Sequence, residues 1–140
     1  MMKGANKMTK LSYLEAIRQA HDLALEKNKN TFILGEDVGK KGGVFGVTQG
    51  LQEKYGKERV IDTPLAESNI IGTAIGAAMM GKRPIAEIQF ADFILPATNQ
   101  IISEAAKMRY RSNNDWGCPI TIRAPFGGGC LLYTSPSPRD

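Results

Sequence analysis

Among the residues able to do chemistry, Glu67 stands apart: it lies between Asp62-Thr63-Pro64 and a run from Ile70 to Met80 that carries no charge. A carboxylate entering so apolar a neighbourhood is costly unless a bound partner uses it, because burial disfavours the ionised form. Such a group is suited to work as an acid or base. The plainer alternative is a first-turn acid favoured by the helix dipole. His21, the sole histidine, shares a helical face with Leu14 and Ile17, which fits core or subunit-contact packing better than catalysis. Cys118 and Cys130 form no short metal-binding pair, and two thiols make no disulfide framework, so a reducing compartment is the simple reading. No metal-ligand set is evident in this chain. The glycine-rich stretch Gly39 to Gly46 lacks a P-loop Lys-Ser/Thr and the dinucleotide spacing, and reads as a flexible connection.

The elements that must position these groups alternate along the chain. Leu14, Ile17, His21 and Leu25 fall on one face of a helix predicted over Leu11 to Lys29. Thr31 to Leu34 is a short buried strand ending at Gly35. Val47, Leu51 and Tyr55 recur at helical spacing and predict a second helix that stops near Gly56. Arg59 to Asp62 is a second strand. The helix predicted over Ser68 to Met80 is apolar on every side, as for an element sandwiched inside a protein, and Gly72 and Gly76 let a neighbour come close. Gly81 is placed to cap it. Pro84 to Phe90 is a strand in which the charged Glu87 is unusual. Asp92 is placed to cap a fourth helix with an inward stripe of Ile94, Ala97, Ile101, Ala105 and Met108. Ile120 to Arg123 is a fourth strand. Strands separated by helices of crossover length imply an α/β fold, with a mostly parallel sheet covered on both faces in three layers and ligands beyond the strands' carboxyl ends.

Composition narrows the class. The chain has 140 residues, 42% hydrophobic and 23% charged, which suits one globular domain with a real core. Its formal charge of +4 is dispersed over the N-terminal lysines and over Lys107, Arg109 and Arg111. A nucleic-acid surface needs a concentrated basic stripe with aromatics between, so nucleic acid is not an expected partner. Nothing approaches the roughly twenty apolar residues of a membrane span, and Met1 to Lys10 has no secretory or transit pattern, so no membrane and a cytoplasmic location are expected.

Gly35-Glu36-Asp37-Val38, Gly42-Gly43-Val44-Phe45, Lys54-Tyr55-Gly56-Lys57, Thr63-Pro64-Leu65-Ala66-Glu67, Ile85 to Phe93 and Thr121-Ile122-Arg123-Ala124-Pro125 closely resemble the beta subunit of thiamine-diphosphate-dependent 2-oxo acid dehydrogenases. The likeness runs in order from about Leu11 to Gly129. The wording Ile88-Gln89-Phe90-Ala91-Asp92 is more similar to the branched-chain (2-oxoisovalerate) type than to the pyruvate type. The resemblance implies a transketolase-like pyrimidine-binding fold in a heterotetramer with an alpha subunit. It implies that thiamine diphosphate is shared with that alpha subunit, which holds magnesium and the diphosphate through a Gly-Asp-Gly motif absent here. The substrate would be a small 2-oxo acid, decarboxylated and passed to a lipoyl-bearing acyltransferase. Glu67 falls on the family's glutamate at N1′ of the aminopyrimidine, where a shared proton favours the imino tautomer. Glu36 matches a second carboxylate near the cofactor, and Phe93 an aromatic that packs on the pyrimidine. Each has a rival in the residues themselves: Glu36 as a solvated loop acid, Phe93 as ordinary core.

The likeness also sets expectations that the sequence does not meet. The family has a catalytic histidine soon after the Arg-Ala-Pro strand and then a second domain; here Cys130 to Asp140 departs from the pattern without any period. The expected organisation is therefore a tail over 1–10, a truncated pyrimidine-binding domain over 11–129 and a disordered or foreign tail over 130–140. Alone, such a fragment is expected to be inactive; the alternative to an enzyme part is a non-catalytic assembly module that contributes only subunit contacts. A pyruvate or acetoin dehydrogenase beta chain is the alternative within the class.

Overall fold

Helix α1 (Tyr13–Lys27) begins where Ser12 and Glu15 close a capping box, the Ser12 N–H donating to Glu15 and the Glu15 N–H to the Ser12 hydroxyl at 3.3 Å. In the computed structural model of the chain, residues 10–126 are described. The tails expected over 1–10 and 130–140 lie outside them, apart from Lys10. The remaining elements are β1 (Thr31–Gly35), α2 (Leu51–Tyr55), β2 (Val60–Asp62), α3 (Glu67–Met79), β3 (Arg83–Glu87), α4 (Met108–Arg111) and β4 (Thr121–Arg123).

The four strands form one parallel sheet in the order β2-β1-β3-β4. Alternation of side chains divides the core. Leu34 and Ala86 face Ile70, Ile71, Ala74 and Ile75 of α3, while Ile33, Val60 and Ile85 face Leu25 of α1 and Leu51 of α2. Each fully buried Ile or Leu among these contributes about 1.5–3 kcal/mol by leaving water. Helices thus cover both faces, as the α/β reading expects. The connection leaving β1 runs to β2 at one edge and the connection leaving β3 runs to β4 at the other, so the carboxyl ends of β1 and β3 meet at a topological switch point.

Three elements differ from the expectations. Helix α2 starts at Leu51 rather than Val47, because Gly50 is left-handed at φ 79° and breaks the run. Helix α3 buries Ile70, Ile71, Ala74, Ile75 and Ala78 but leaves Asn69, Thr73 and Gly76, with Met80 at its C-cap, exposed in the isolated chain, so it is covered on one side only. Its end is a Schellman turn, with Gly81 donating to Ala78 and Lys82 to Ala77. The fourth predicted helix is not regular: a 3-10 stretch (Ala91–Ala97), a π turn (Gln100–Glu104) and a second 3-10 turn (Ala105–Lys107) precede α4. Pro96 lies inside it without an N–H, and the Ser68 hydroxyl donates to the Pro96 carbonyl. Asp92 sits within the first turn; Phe90 holds the cap position.

Candidate active site

The carboxyl ends of the strands present a row of four residues, Asp62, Gly35, Glu87 and Arg123, in register across the sheet. Glu36 follows β1 directly. Thr63, which leads to Glu67, donates its N–H to the Gly35 carbonyl at 2.9 Å. One strand end therefore sets the place of both carboxylates.

Glu67 opens α3 and is 8% exposed; Glu36 is equally buried. The Glu36 Oε1 is buried with no hydrogen-bond partner among the described residues. Burial pushes the Glu36 carboxyl above its usual range, and the nearby charges of Glu67 and then Asp37 push it the same way. The two sequence-selected carboxylates are thus brought within electrostatic reach of one another, an arrangement that favours retention of a proton on Glu36. Phe93 packs edge-on to Phe90, which packs edge-on to Phe45, with ring centroids 5.7 and 6.0 Å apart. Phe93 also joins the α3 side of the core, and its 3-10 stretch is tied to the first turn of α3 through Ser68 and Pro96. Both expectations for Phe93, core and site wall, are compatible with this place.

The glycine-rich loop is built, not loose. Gly43 donates to Asp37 at 2.8 Å, Thr48 donates to Gly42 through its N–H and to Val38 through its hydroxyl, and the Arg18 guanidinium donates to Gly46. Left-handed φ values at Gly42, Gly43 and Gly46 let the loop fold back onto the 37–39 segment that follows Glu36.

Sequence reasoning named Glu87 as odd but missed what it does. Glu87 is 3% exposed and meets Arg123 at 2.6 Å, as an ion contact without the alignment of a hydrogen bond. Burial raises the Glu87 carboxyl while Arg123 pulls it down. His21 is buried at 6% exposure, its Nδ1 unpartnered among the described residues. Burial and then Arg123 depress its pKa to about 4, so the imidazole is neutral at pH 7. The signal for the pair was a charge, Glu87, among the apolar residues of the strand predicted over Pro84 to Phe90; nothing local announced Arg123 as its partner. His21 lies within electrostatic reach of Arg123, the cationic member of this pair.

These residues fit one class of ligand on geometry. An unpartnered buried carboxyl oxygen beside a second buried carboxyl suits a nitrogen heterocycle, and aromatic rings with the 77% exposed Leu65 offer apolar contact to a flat ring. A cavity of about 670 Å³ at the opposite, amino end of the sheet, near Arg83, Trp116 and Cys118, contains no such acid pair. Burial raises the Cys118 thiol, so it is not an activated nucleophile. Among the described residues no group of three or more His, Cys, Asp or Glu could hold a metal, and no helix is long and apolar enough to cross a membrane.

Comparison with known proteins agrees with the geometry. The family "Transketolase, pyrimidine binding domain" matches residues 9–137. The chain is 64% identical over 132 residues to the 2-oxoisovalerate dehydrogenase subunit beta of Bacillus subtilis, an alignment taking in 93% of this chain and 40% of that relative. It is 50% identical over 127 residues to the same-named subunit of Pseudomonas aeruginosa, covering 91% and 36%. Identity to the pyruvate dehydrogenase E1 component subunit beta of Bacillus subtilis is 47% over 122 residues, covering 87% and 38%. The chain spans about two-fifths of the length of the curated relatives it matches.

Proposed function

The chain belongs to the transketolase pyrimidine-binding family, and we propose that it forms the aminopyrimidine side of a branched-chain 2-oxo acid dehydrogenase, as part of its beta subunit. The observation that carries this reading is the buried, electrostatically coupled pair Glu36 and Glu67 at the switch point of the sheet.

Thiamine diphosphate, when bound, supplies the carbon nucleophile on which 2-oxo acids lose carbon dioxide. The part of this chain is to bind, orient and manage a proton. Glu67 is the carboxyl that shares a proton with N1′ of the aminopyrimidine, in a place from which bulk water is largely excluded. Glu36 lies within its electrostatic reach and is itself pushed toward the protonated form by burial and by the Glu67 charge. Phe93, with Phe90 and Phe45 behind it, braces one side of the heterocycle. Magnesium and the diphosphate are the task of the alpha partner, and the acyl product goes on to a lipoyl-bearing acyltransferase. The branched-chain substrate is preferred over pyruvate because the relatives named for 2-oxoisovalerate include the more similar sequences.

The test is expression of the complete gene with its alpha partner and assay of thiamine-dependent decarboxylation across branched and unbranched 2-oxo acids. Turnover of 2-oxoisovalerate in preference to pyruvate is expected. An assembly that turns over no 2-oxo acid with thiamine diphosphate contradicts the proposal.

A further inference from the structure

Glu87 and Arg123 present an energetic puzzle. Taking two charges out of water costs about as much as their attraction returns, so a buried ion pair is not by itself a source of stability. The surroundings give the pair another use. Glu87 is an inner member of the carboxyl-end row, in register with Gly35 on one side and Arg123 on the other. Its side chain lies on the α1 face of the sheet, beneath the loop that carries Glu36: a Cβ placed on Gly43 would stand 3.4 Å from the Glu87 Oε1 and 3.3 Å from the Thr48 hydroxyl. Gly43 in turn donates to the Asp37 carbonyl, and the Thr48 hydroxyl donates to Val38 at 2.6 Å. On the other side, a Cβ on Gly35 would meet the Glu87 carbonyl oxygen at 2.7 Å. The segment 35–38 is thus seated on Glu87 both directly and through the Gly42-Gly43 turn.

We propose that the Glu87–Arg123 pair is a positioning device for Glu36: it fixes the carboxyl end of β1 and the Gly42-Gly43 turn, and through them the place of Glu36 beside Glu67. This rests on the proposed function for its consequence, though not for its geometry. The charged and titratable groups concerned are Glu67 on α3 and Asp37 in the loop, which face Glu36, and Arg123 on β4, which faces both Glu87 and His21 of α1. Glu87 and Arg123 touch neither the heterocycle nor the substrate in this arrangement; they act through the loop.

The experiment uses the complete beta chain assembled with its alpha partner, without cofactor, so its outcome is independent of whether the proposed reaction occurs. Arg123→Lys keeps both charges and alters the geometry alone; Glu87→Gln keeps the shape and removes the charge. Two quantities are read: amide exchange over residues 36–48, with the Ile33 N–H that donates to Arg59 as a control in the same sheet, and the Glu36 titration, isolated in infrared difference spectra by subtraction of a Glu36→Gln variant. Exchange over 36–48 is expected to rise about tenfold in both variants while Ile33 is unchanged. The Glu36 midpoint in Arg123→Lys is expected to fall by about half a pH unit or more as the carboxyl leaves its place beside Glu67. An unchanged Glu36 midpoint in Arg123→Lys, or exchange that accelerates equally at Ile33, overturns the proposal. Should Arg123→Lys not assemble, Glu87→Gln decides by the same exchange comparison.

Discussion

Gly35 lies opposite Glu87 in the β1–β3 ladder so closely that a methyl group on its Cα would stand 2.7 Å from the Glu87 carbonyl oxygen. The obstacle is backbone, which cannot swing aside. Gly35→Ala is therefore expected to destabilise the complete beta chain by about 2–3 kcal/mol in denaturant unfolding, through overpacking and lost ladder geometry. Wild-type stability in Gly35→Ala would show that the strand ends are not as tightly joined as described.

His21 gives the fold a dependence on acid. Its pKa falls from 6.5 to about 4 on folding, so the unfolded chain takes up a proton first as pH drops. Stability tied to His21 is complete above pH 6.5 and is lost as pH falls to about 4, by about 3 kcal/mol in all. Glu36 and Glu87, shifted upward, act in the opposite sense, so the variant must be compared with wild type at each pH. Relative to His21→Gln, the wild-type chain should lose its advantage across this window; parallel curves would contradict a buried neutral imidazole.

Glu36 carries the reverse sign. Its folded pKa is raised, so its contribution is present below the ordinary glutamate range and is lost as pH rises through the folded value. Glu36→Gln should therefore gain stability relative to wild type on the alkaline side of that titration and show no gain on the acid side. Denaturant midpoints measured from pH 4 to 8 decide it, and a gain confined to the acid end would refute the electrostatic description of the pair.

Arg59 secures the end of α1 from a distance. Its guanidinium donates to the carbonyls of Leu25, Asn28 and Thr31 at 2.7, 2.8 and 2.8 Å, and its face lies over the Tyr55 ring. Arg59→Met removes the guanidinium donor from those carbonyls, of which Asn28 keeps the Thr31 N–H, and is expected to cost about 2–3 kcal/mol. A loss below about 0.5 kcal/mol would mean that water replaces the guanidinium freely.

Much of this was legible in the sequence because it is local. The uncharged run after Glu67 announced both a core helix and the acid at its head, and the apolar runs of Thr31–Leu34 and Ile120–Arg123 placed β1 and β4 to within a residue. What escaped depends on groups distant in sequence. The loop 39–46 owes its order to Arg18, Val38 and Thr48, which glycine content alone cannot reveal. The stripe from Ile94 to Met108 has helical spacing, yet Pro96 interrupts the backbone pattern that the stripe suggests. Glu87 could be recognised as out of place in a strand, whereas its partner Arg123 became evident only with the register of β3 against β4.

The central claim is that the Glu67 carboxyl handles a proton for a bound heterocycle. Its most direct test is the rate of thiamine-dependent 2-oxo acid decarboxylation by the assembled enzyme carrying Glu67→Gln, with cofactor affinity measured in parallel. The account predicts a fall in kcat of about 10²–10⁴-fold, the range of general acid–base catalysis, with a much smaller change in cofactor binding. A Glu67→Gln enzyme that turns over at the wild-type rate would contradict it.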